Sequence, residues 1–340
     1  MSAAAERVET KKQLDWHQKV LDSSGHNKRK KSQYRLKQRI GSGTYGICYE
    51  AEDTLVEGRI VAIKCSENPD KGNPSISVEM KRELIAFDVL NDPGHENVLK
   101  SIAHFVSKKF YVTFIVMPYY PYGDLYDFYP ILKGIEREQR VKVIEDFTGQ
   151  LADALEFMHR KRVCHRDFKS TNILVDKEKW KLVVCDFGLS RTHEEAQDGE
   201  CYSSEGVFTI AYRSTDFLLD PEKHNPYSCD VWGLGVVVAE MIDRKYVFGK
   251  EHTDEDTLLA QFRMLGTPTE AYWPGVTKAK NWRPDFPVHR LVPVEKLDKW
   301  KVRMITPPTL AVLAKAMVMN PAKRGSAADL VQAFKGALDA

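Results

Sequence analysis

From Tyr34 to about Met117 the apolar positions fall in short, mostly extended runs; beyond that they recur at helical spacing. Arg39 to Glu50 reads as strand, glycine-rich turn, strand, and Arg59-Ile60-Val61-Ala62-Ile63-Lys64 as a third strand. Ser77 to Leu90 has helical spacing, with Val78, Leu84, Ile85, Val89 and Leu90 apolar. Phe110 to Met117 predicts a buried strand. Glu138 to Arg160 predicts a long amphipathic helix, with Val141, Ile144, Phe147, Leu151, Leu155 and Met158 on one face. Lys181 to Cys185 reads as another strand, and an apolar helix opens at Asp230. Two stretches lack apolar content. Residues 1–33 are polar, with a weak helix from Val8 to Leu21 thinly covered by Leu14, Val20 and Leu21. Arg191 to Glu205 is rich in Glu, Ser, Gly and Asp; a loop of that length is usually functional or disordered.

A chain of 340 residues can bury two cores, and 43% hydrophobic with 29% charged residues is ordinary for a globular protein. A net charge of +2 gives little support to a nucleic-acid-binding surface, and there is no aromatic-basic interleaving. The six cysteines are scattered without a CxxC pair, so neither a zinc site nor a disulfide framework is expected, and a reducing compartment fits. No apolar run approaches the roughly 18 residues of a membrane span. The expectation is an intracellular protein, nuclear or cytoplasmic, with no membrane partner. Lys28-Arg29-Lys30-Lys31 reads either as a nuclear address or as part of a solvated tail.

Candidate chemistry centres on Val163 to Val175, where Asp167, Lys169 and Asn172 lie within six residues between apolar flanks. A carboxylate can orient a hydroxyl, a lysine can neutralise a moving phosphoryl group, and an amide oxygen can hold Mg²⁺. Asp186, at the end of a strand and followed by Phe187-Gly188, adds a second carboxylate that could share the metal. Upstream, Gly41, Gly43 and Gly46 form a GxGxxG whose backbone can approach phosphates. A dinucleotide fold uses the same glycines but follows them with a helix, whereas a strand follows here. Lys64 ends the third strand.

These segments resemble the glycine loop, Val-Ala-Ile-Lys strand, catalytic loop and Asp-Phe-Gly motif of eukaryotic protein kinases, over about Tyr34 to Phe334. The resemblance implies an α+β, two-lobed fold with a small β-rich N-lobe and a larger α-helical C-lobe. The expected layout is a polar extension over 1–33 and a kinase domain over 34–335. Within it the N-lobe runs to about 117, the hinge over 118–124 and the C-lobe from about 125. Lys64 would clamp the α- and β-phosphates of ATP with Glu83 as its partner, Glu79 being the competitor one turn earlier. Asp186 and Asn172 would hold Mg²⁺, Asp167 would accept the substrate proton, and Lys169 would stabilise the transferred group. Thr209 would tie the substrate loop to Asp167. Ile40, Cys48, Ala62 and Leu174 would sandwich adenine, with Met117 as gatekeeper. The Pro118 carbonyl and Tyr120 N–H would meet the base, and Asp124 the ribose.

Leu265-Gly266-Thr267-Pro268, Trp273-Pro274-Gly275-Val276, Gly43-Thr44-Tyr45-Gly46 and Tyr212-Arg213 are similar to cyclin-dependent kinases and their relatives. This implies Ser/Thr phosphotransfer to protein substrates, with proline favoured after the target because Arg213 occupies a carbonyl of the substrate loop. A phosphate on Thr44 or Tyr45, in the glycine loop, would repel the nucleotide and inhibit, although both could equally be plain loop residues. Arg82, Arg166 and Arg191 would converge on a phosphorylated Ser204, although Ser203 and Ser204 could equally be polar loop filler. Ala-Pro-Glu is replaced by Ser214-Thr215-Asp216, so Asp216 would pair with Arg324. A cyclin or another activating partner is implied. However, Lys81 stands where the family buries an isoleucine in its partner, and the spacing from Pro74 to Glu83 is three residues longer. A mitogen-activated-type relative and a catalytically weak scaffold are the alternatives; the scaffold would be favoured by loss of Lys64, Asp167, Asn172 or Asp186, and all four are present.

Overall fold

The structure is a computed structural model that describes residues 3–24, 33–43, 46–67, 76–107, 109–192, 206–249, 253–297 and 305–339. Thr44, Tyr45 and Ser204 lie outside the described residues, as do Pro74 and residues 28–31. The chain divides into two units: Met1–Gly94 with Leu99–Pro121 and Asp186–Gly188, and His95–Val98 with Tyr122–Cys185 and Leu189–Ala340.

The first unit contains helix α1 (Ala3–Ser24), strands β1 (Tyr34–Gly43), β2 (Gly46–Asp53) and β3 (Ile60–Glu67), helix α2 (Val78–Leu90), and strands β4 (Ala103–Ser107) and β5 (Val112–Pro118). The strands form an antiparallel sheet in the order β1-β2-β3-β5-β4. Successive side chains alternate between faces. Lys64, opposite Cys48 and Ile115, therefore shares a face with Ala62 and Met117. Tyr49, Ile63 and Val116 lie side by side on the other face, with Cys65 and Phe114 one rung away. Ser77 caps α2 by accepting from the Met80 N–H. The buried stripe of α2 is Met80, Glu83, Ala86, Phe87 and Leu90, while Val78 is exposed. The helix thus turns a different face inward from the one its most apolar residues predict.

Within the polar extension over 1–33, the helix expected over Val8 to Leu21 runs over Ala3–Ser24 and is more than thinly covered. Val20 and Leu21 are each only 1% exposed and belong to one apolar cluster with Tyr49, Ile63, Phe114 and Val116. His17 is buried; its Nδ1 lies 2.9 Å from the Tyr49 hydroxyl and its Nε2 3.3 Å from Glu67. Burial holds this imidazole below the ordinary histidine range, although Glu67 pulls it up. The Gln18 carboxamide donates to the Tyr34 carbonyl (3.1 Å) and accepts from the Leu36 N–H (2.7 Å), satisfying two backbone groups of edge strand β1. A helix read as thinly apolar is therefore part of this unit's core.

The second unit is mainly helical, with α3 (Leu125–Gly134), α4 (Arg137–Arg160), strands β6 (Val163–Cys164), β7 (Ile173–Asp176), β8 (Lys181–Val184) and β9 (Arg191–Thr192), and helices α5 (Thr215–Leu219), α6 (Pro226–Asp243) and α7 (Asp254–Leu265). Helices Pro307–Ala316 and Ala327–Leu338 follow. β6 pairs with β9, and β7 with β8. Helix α6 is buried almost all round, as its continuous apolar run requires, and α4 buries Ile144, Phe147, Leu151, Leu155 and Met158. The loop between β6 and β7 is anchored from α6. Fully buried Asp230 accepts from the His165 N–H (2.7 Å) and the Arg166 N–H (2.8 Å). Those bonds hold Arg166 at φ 65°, a left-handed conformation that costs a non-glycine residue about 1–3 kcal/mol.

Candidate functional site

In the first unit three charges meet. Lys64 Nζ lies 2.7 Å from Glu83 Oε2 and 2.9 Å from Asp186 Oδ1. Of the two carboxylates left open by the sequence, Glu83 and not Glu79 is the one at Lys64. Burial opposes the ammonium charge, yet Glu83 and Asp186 outweigh it and hold Lys64 above the ordinary lysine range. Phe187 is fully buried and meets the Phe87 ring edge-on at 5.5 Å, which ties the Asp186 segment to α2. Asp186 itself has φ 64°.

The turn between β1 and β2 needs a glycine at one place. Gly46 has φ 141°, and a Cβ there would stand 2.4 Å from the Cys65 carbonyl oxygen. Gly43 meets nothing within 4 Å, so its side of the turn is open. Cys48 faces Lys64 across β2 and β3, and burial pushes its thiol up to about 11, so it is a neutral, apolar wall. Ala62 and Met117 are buried on the same face of the sheet, and Ile40 is 40% exposed. Pro118 pairs with Val61 at the end of β5, and Tyr120 follows.

The second unit brings Asp167, Lys169, Asn172 and Thr209 together. Asp167 Oδ1 accepts from the Thr209 N–H (3.0 Å) and hydroxyl (2.8 Å). Its Oδ2 lies 2.6 Å from Lys169 Nζ and accepts from Asn172 Nδ2 at 3.1 Å. Lys169 also donates to Thr209 Oγ1 at 2.8 Å. Asn172 Nδ2 donates to the Asp167 carbonyl as well (2.9 Å), so the amide nitrogen is spent inside the loop. With the nitrogen turned inward, the amide presents its oxygen the other way, as a hard cation requires. His165 Nδ1 accepts from the Asp167 N–H (3.2 Å), which leaves Nε2–H to donate to the Cys185 carbonyl (2.9 Å).

Further along, Arg213 Nε donates to the Phe208 carbonyl (3.0 Å) and Nη2 to the Val207 carbonyl (3.1 Å). Phe208 has φ 54°, and its ring packs on Phe217 at 5.0 Å. Arg324 Nη2 donates to Asp216 Oδ1 at 2.7 Å inside the core. Arg191 sits opposite Cys164 and is half-buried, whereas Arg166 is buried. In the first unit, Arg82 is half-buried on α2. Leu174 bridges Asp124, whose Oδ1 caps α3 by accepting from the Asp127 N–H at 2.9 Å. This cap went unread in the sequence; its signal is an Asp three residues ahead of another acidic residue, before an apolar run.

Sequence reasoning missed a second buried network. Glu240 Oε2 accepts from the hydroxyls of Tyr212 (2.8 Å) and Tyr129 (3.2 Å), and Tyr212 also meets Ser170 Oγ at 2.8 Å. Burial lifts the Glu240 carboxyl to about 7. The available signal was one glutamate inside the apolar run of α6.

A family model described as protein kinase domain matches residues 34–334. Among solved structures, the chain is similar to one in the CAK complex from Chaetomium thermophilum bound to ATP-γ-S. The two share 26% identity over 88% of this chain and 90% of that one, with a TM-score of 0.75. No helix among the described residues is long and apolar enough to cross a membrane.

Proposed function

The chain belongs to the protein kinase family, and from that premise we propose that it phosphorylates serine or threonine hydroxyls of proteins, with proline favoured after the target. The observation that carries the reading is the fourfold hold on Asp167 by the Thr209 N–H and hydroxyl, Lys169 and Asn172. When bound, Mg²⁺-ATP supplies the transferable γ-phosphoryl group and a cation that offsets its charge. Lys64, kept charged by Glu83, binds the α- and β-phosphates. Asp186 and the Asn172 amide would each offer an oxygen donor of the hard kind that Mg²⁺ takes. Asp167 orients the acceptor hydroxyl and takes its proton, while Lys169 offsets charge on the moving group. Thr209 fixes both the carboxylate and the substrate loop.

The proline preference follows from Arg213. It occupies the Val207 and Phe208 carbonyls, so a substrate N–H arriving there finds no acceptor, and proline has none to satisfy. For regulation, Arg82, Arg166 and Arg191 would be the basic groups for a phosphate on Ser204, which would order the loop through charge-assisted hydrogen bonds. Phosphate on Thr44 or Tyr45 would repel the nucleotide. Lys81 is exposed on α2, and a charge there argues against a tight, typical cyclin contact. Phosphorylation of a randomised peptide library with Mg²⁺-ATP tests the reading. Tyrosine-only acceptors would overturn the hydroxyl class, and no enrichment of proline would overturn the second specificity.

A further inference from the structure

Arg213 is held by more than the two carbonyls. Its third guanidinium nitrogen, Nη1, donates to Asp254 Oδ1 at 2.6 Å, and the group lies over the Phe217 ring at 5.3 Å. The main chain of Arg213 is fixed from the same helix. Gln261 Nε2 donates to the Arg213 carbonyl (2.8 Å), and Gln261 Oε1 accepts from the Thr215 hydroxyl (2.7 Å). Gln261 and Thr215 are both fully buried. Asp254 and Gln261 are seven residues apart on α7, two turns, and so lie on one face.

We propose that Asp254 and Gln261 are positioning residues which, by aiming Arg213 at the Val207 and Phe208 carbonyls, set the preference for the substrate residue after the phosphorylated hydroxyl. The inference rests on the proline-directed reading above. A guanidinium is a rigid planar fork, so fixing one edge fixes the direction of the others. Asp254 holds the edge that the carbonyls do not use. It stands in the first turn of α7, where the helix end favours a negative charge. Competition for it is low. The nearby cation Arg283 is taken by Glu255 (2.8 Å) and Asp285 (2.8 Å). The helix cap is Thr253, not Asp254. With Asp254 neutralised, Arg213 can leave one carbonyl for water, and that carbonyl becomes an acceptor for a substrate N–H.

An ordinary surface ion pair would behave differently. Asp254 is 45% exposed at its side chain, and such a pair contributes little to stability, so its loss should not unfold the protein. The test is steady-state kinetics on two acceptor peptides that differ only in proline or alanine after the serine. The wild type, Asp254→Asn, Asp254→Glu and Arg213→Ala are compared, with thermal unfolding of each. Gln261→Ala is the less useful variant because that side chain is fully buried. The expected result is a Pro/Ala ratio of kcat/KM that falls on the order of tenfold in Asp254→Asn, as for neighbouring residues that act together. Asp254→Glu should restore most of the ratio, and Arg213→Ala should lose it. If the wild type prefers proline and Asp254→Asn keeps the ratio, the positioning role is wrong and the proposed function stands. The same conclusion follows if both peptides slow equally. If the wild type shows no proline preference, the specificity reading falls and this inference falls with it.

Discussion

Replacing Leu21 by alanine tests whether α1 belongs to the kinase core. Leu21 is 1% exposed in the cluster built on Tyr49, Ile63 and Phe114, and the substitution removes three carbons from it. Lost transfer free energy at about 0.8 kcal/mol per carbon comes to roughly 2.4 kcal/mol. The residual cavity adds to that, so about 3 kcal/mol is expected, within the usual range for Leu→Ala in a core. At about 2.1 cal/mol/K of unfolding entropy per residue, the corresponding fall in Tm for a chain of 340 residues is about 4 °C. Thermal unfolding followed by circular dichroism, with Lys19→Ala as a control on the exposed face of α1, measures it. Lys19→Ala should stay within about 0.5 kcal/mol of wild type. A Leu21→Ala shift no larger than that of Lys19→Ala would refute the assignment and return residues 3–24 to the status of an appendage.

Asp167→Asn should lower phosphotransfer by about 10²–10⁴-fold while leaving nucleotide affinity near wild type, and Asp186→Asn should weaken Mg²⁺-nucleotide binding as well; titration with a fluorescent nucleotide separates the two. Glu240 is raised by burial to about 7, so between its unfolded range near 4.5 and that value the folded state binds the extra proton, and stability should fall as pH rises through this window. Glu240→Gln should flatten that slope in Tm measured from pH 4.5 to 7.5; an unchanged slope would exclude Glu240 as its source. Asp216→Ala leaves Arg324 buried without its carboxylate and should cost about 3–5 kcal/mol in chemical denaturation.

The grouping of the candidate site residues was legible because they are close in sequence or set in fixed motifs. Asp167, Lys169 and Asn172 share one loop, and Lys64 and Glu83 meet because a strand and a helix place them together. What was hidden depends on distant partners. The buried stripe of α2 is chosen by Glu83, a charged residue that hydropathy counts as surface; this turns Met80, Ala86 and Phe87 inward instead of Leu84, Ile85 and Val89. Nothing in α1 announces its docking either. Val20 and Leu21 are few among charges, and the cluster they join draws on all five strands, β1 to β5. The hint was on the sheet: Ile47, Tyr49 and Ala51 of β2 and Val61, Ile63 and Cys65 of β3 make an apolar face opposite the one that carries Lys64, and that face needs a cover of its own. Arg213 was readable, but its anchors Asp254 and Gln261 were not, because α7 meets the substrate loop only through the fold.

The docked helix also bears on how the protein is made. During synthesis α1 emerges ahead of every strand it covers, and Ser24 and Val116 are 92 residues apart. At about 5–20 residues per second, the interval before β5 appears is roughly 5–20 s. An isolated helix of 22 residues is marginal in water, so α1 spends that interval largely unfolded, with Leu14, Val20 and Leu21 in solvent. Once β1 to β5 have paired, the face that α1 covers stays bare until that helix returns to it. The nascent chain therefore carries two complementary sticky surfaces at once, one on α1 and one on the new sheet. Their meeting within one molecule, rather than between two on the same message, decides the yield of folded kinase.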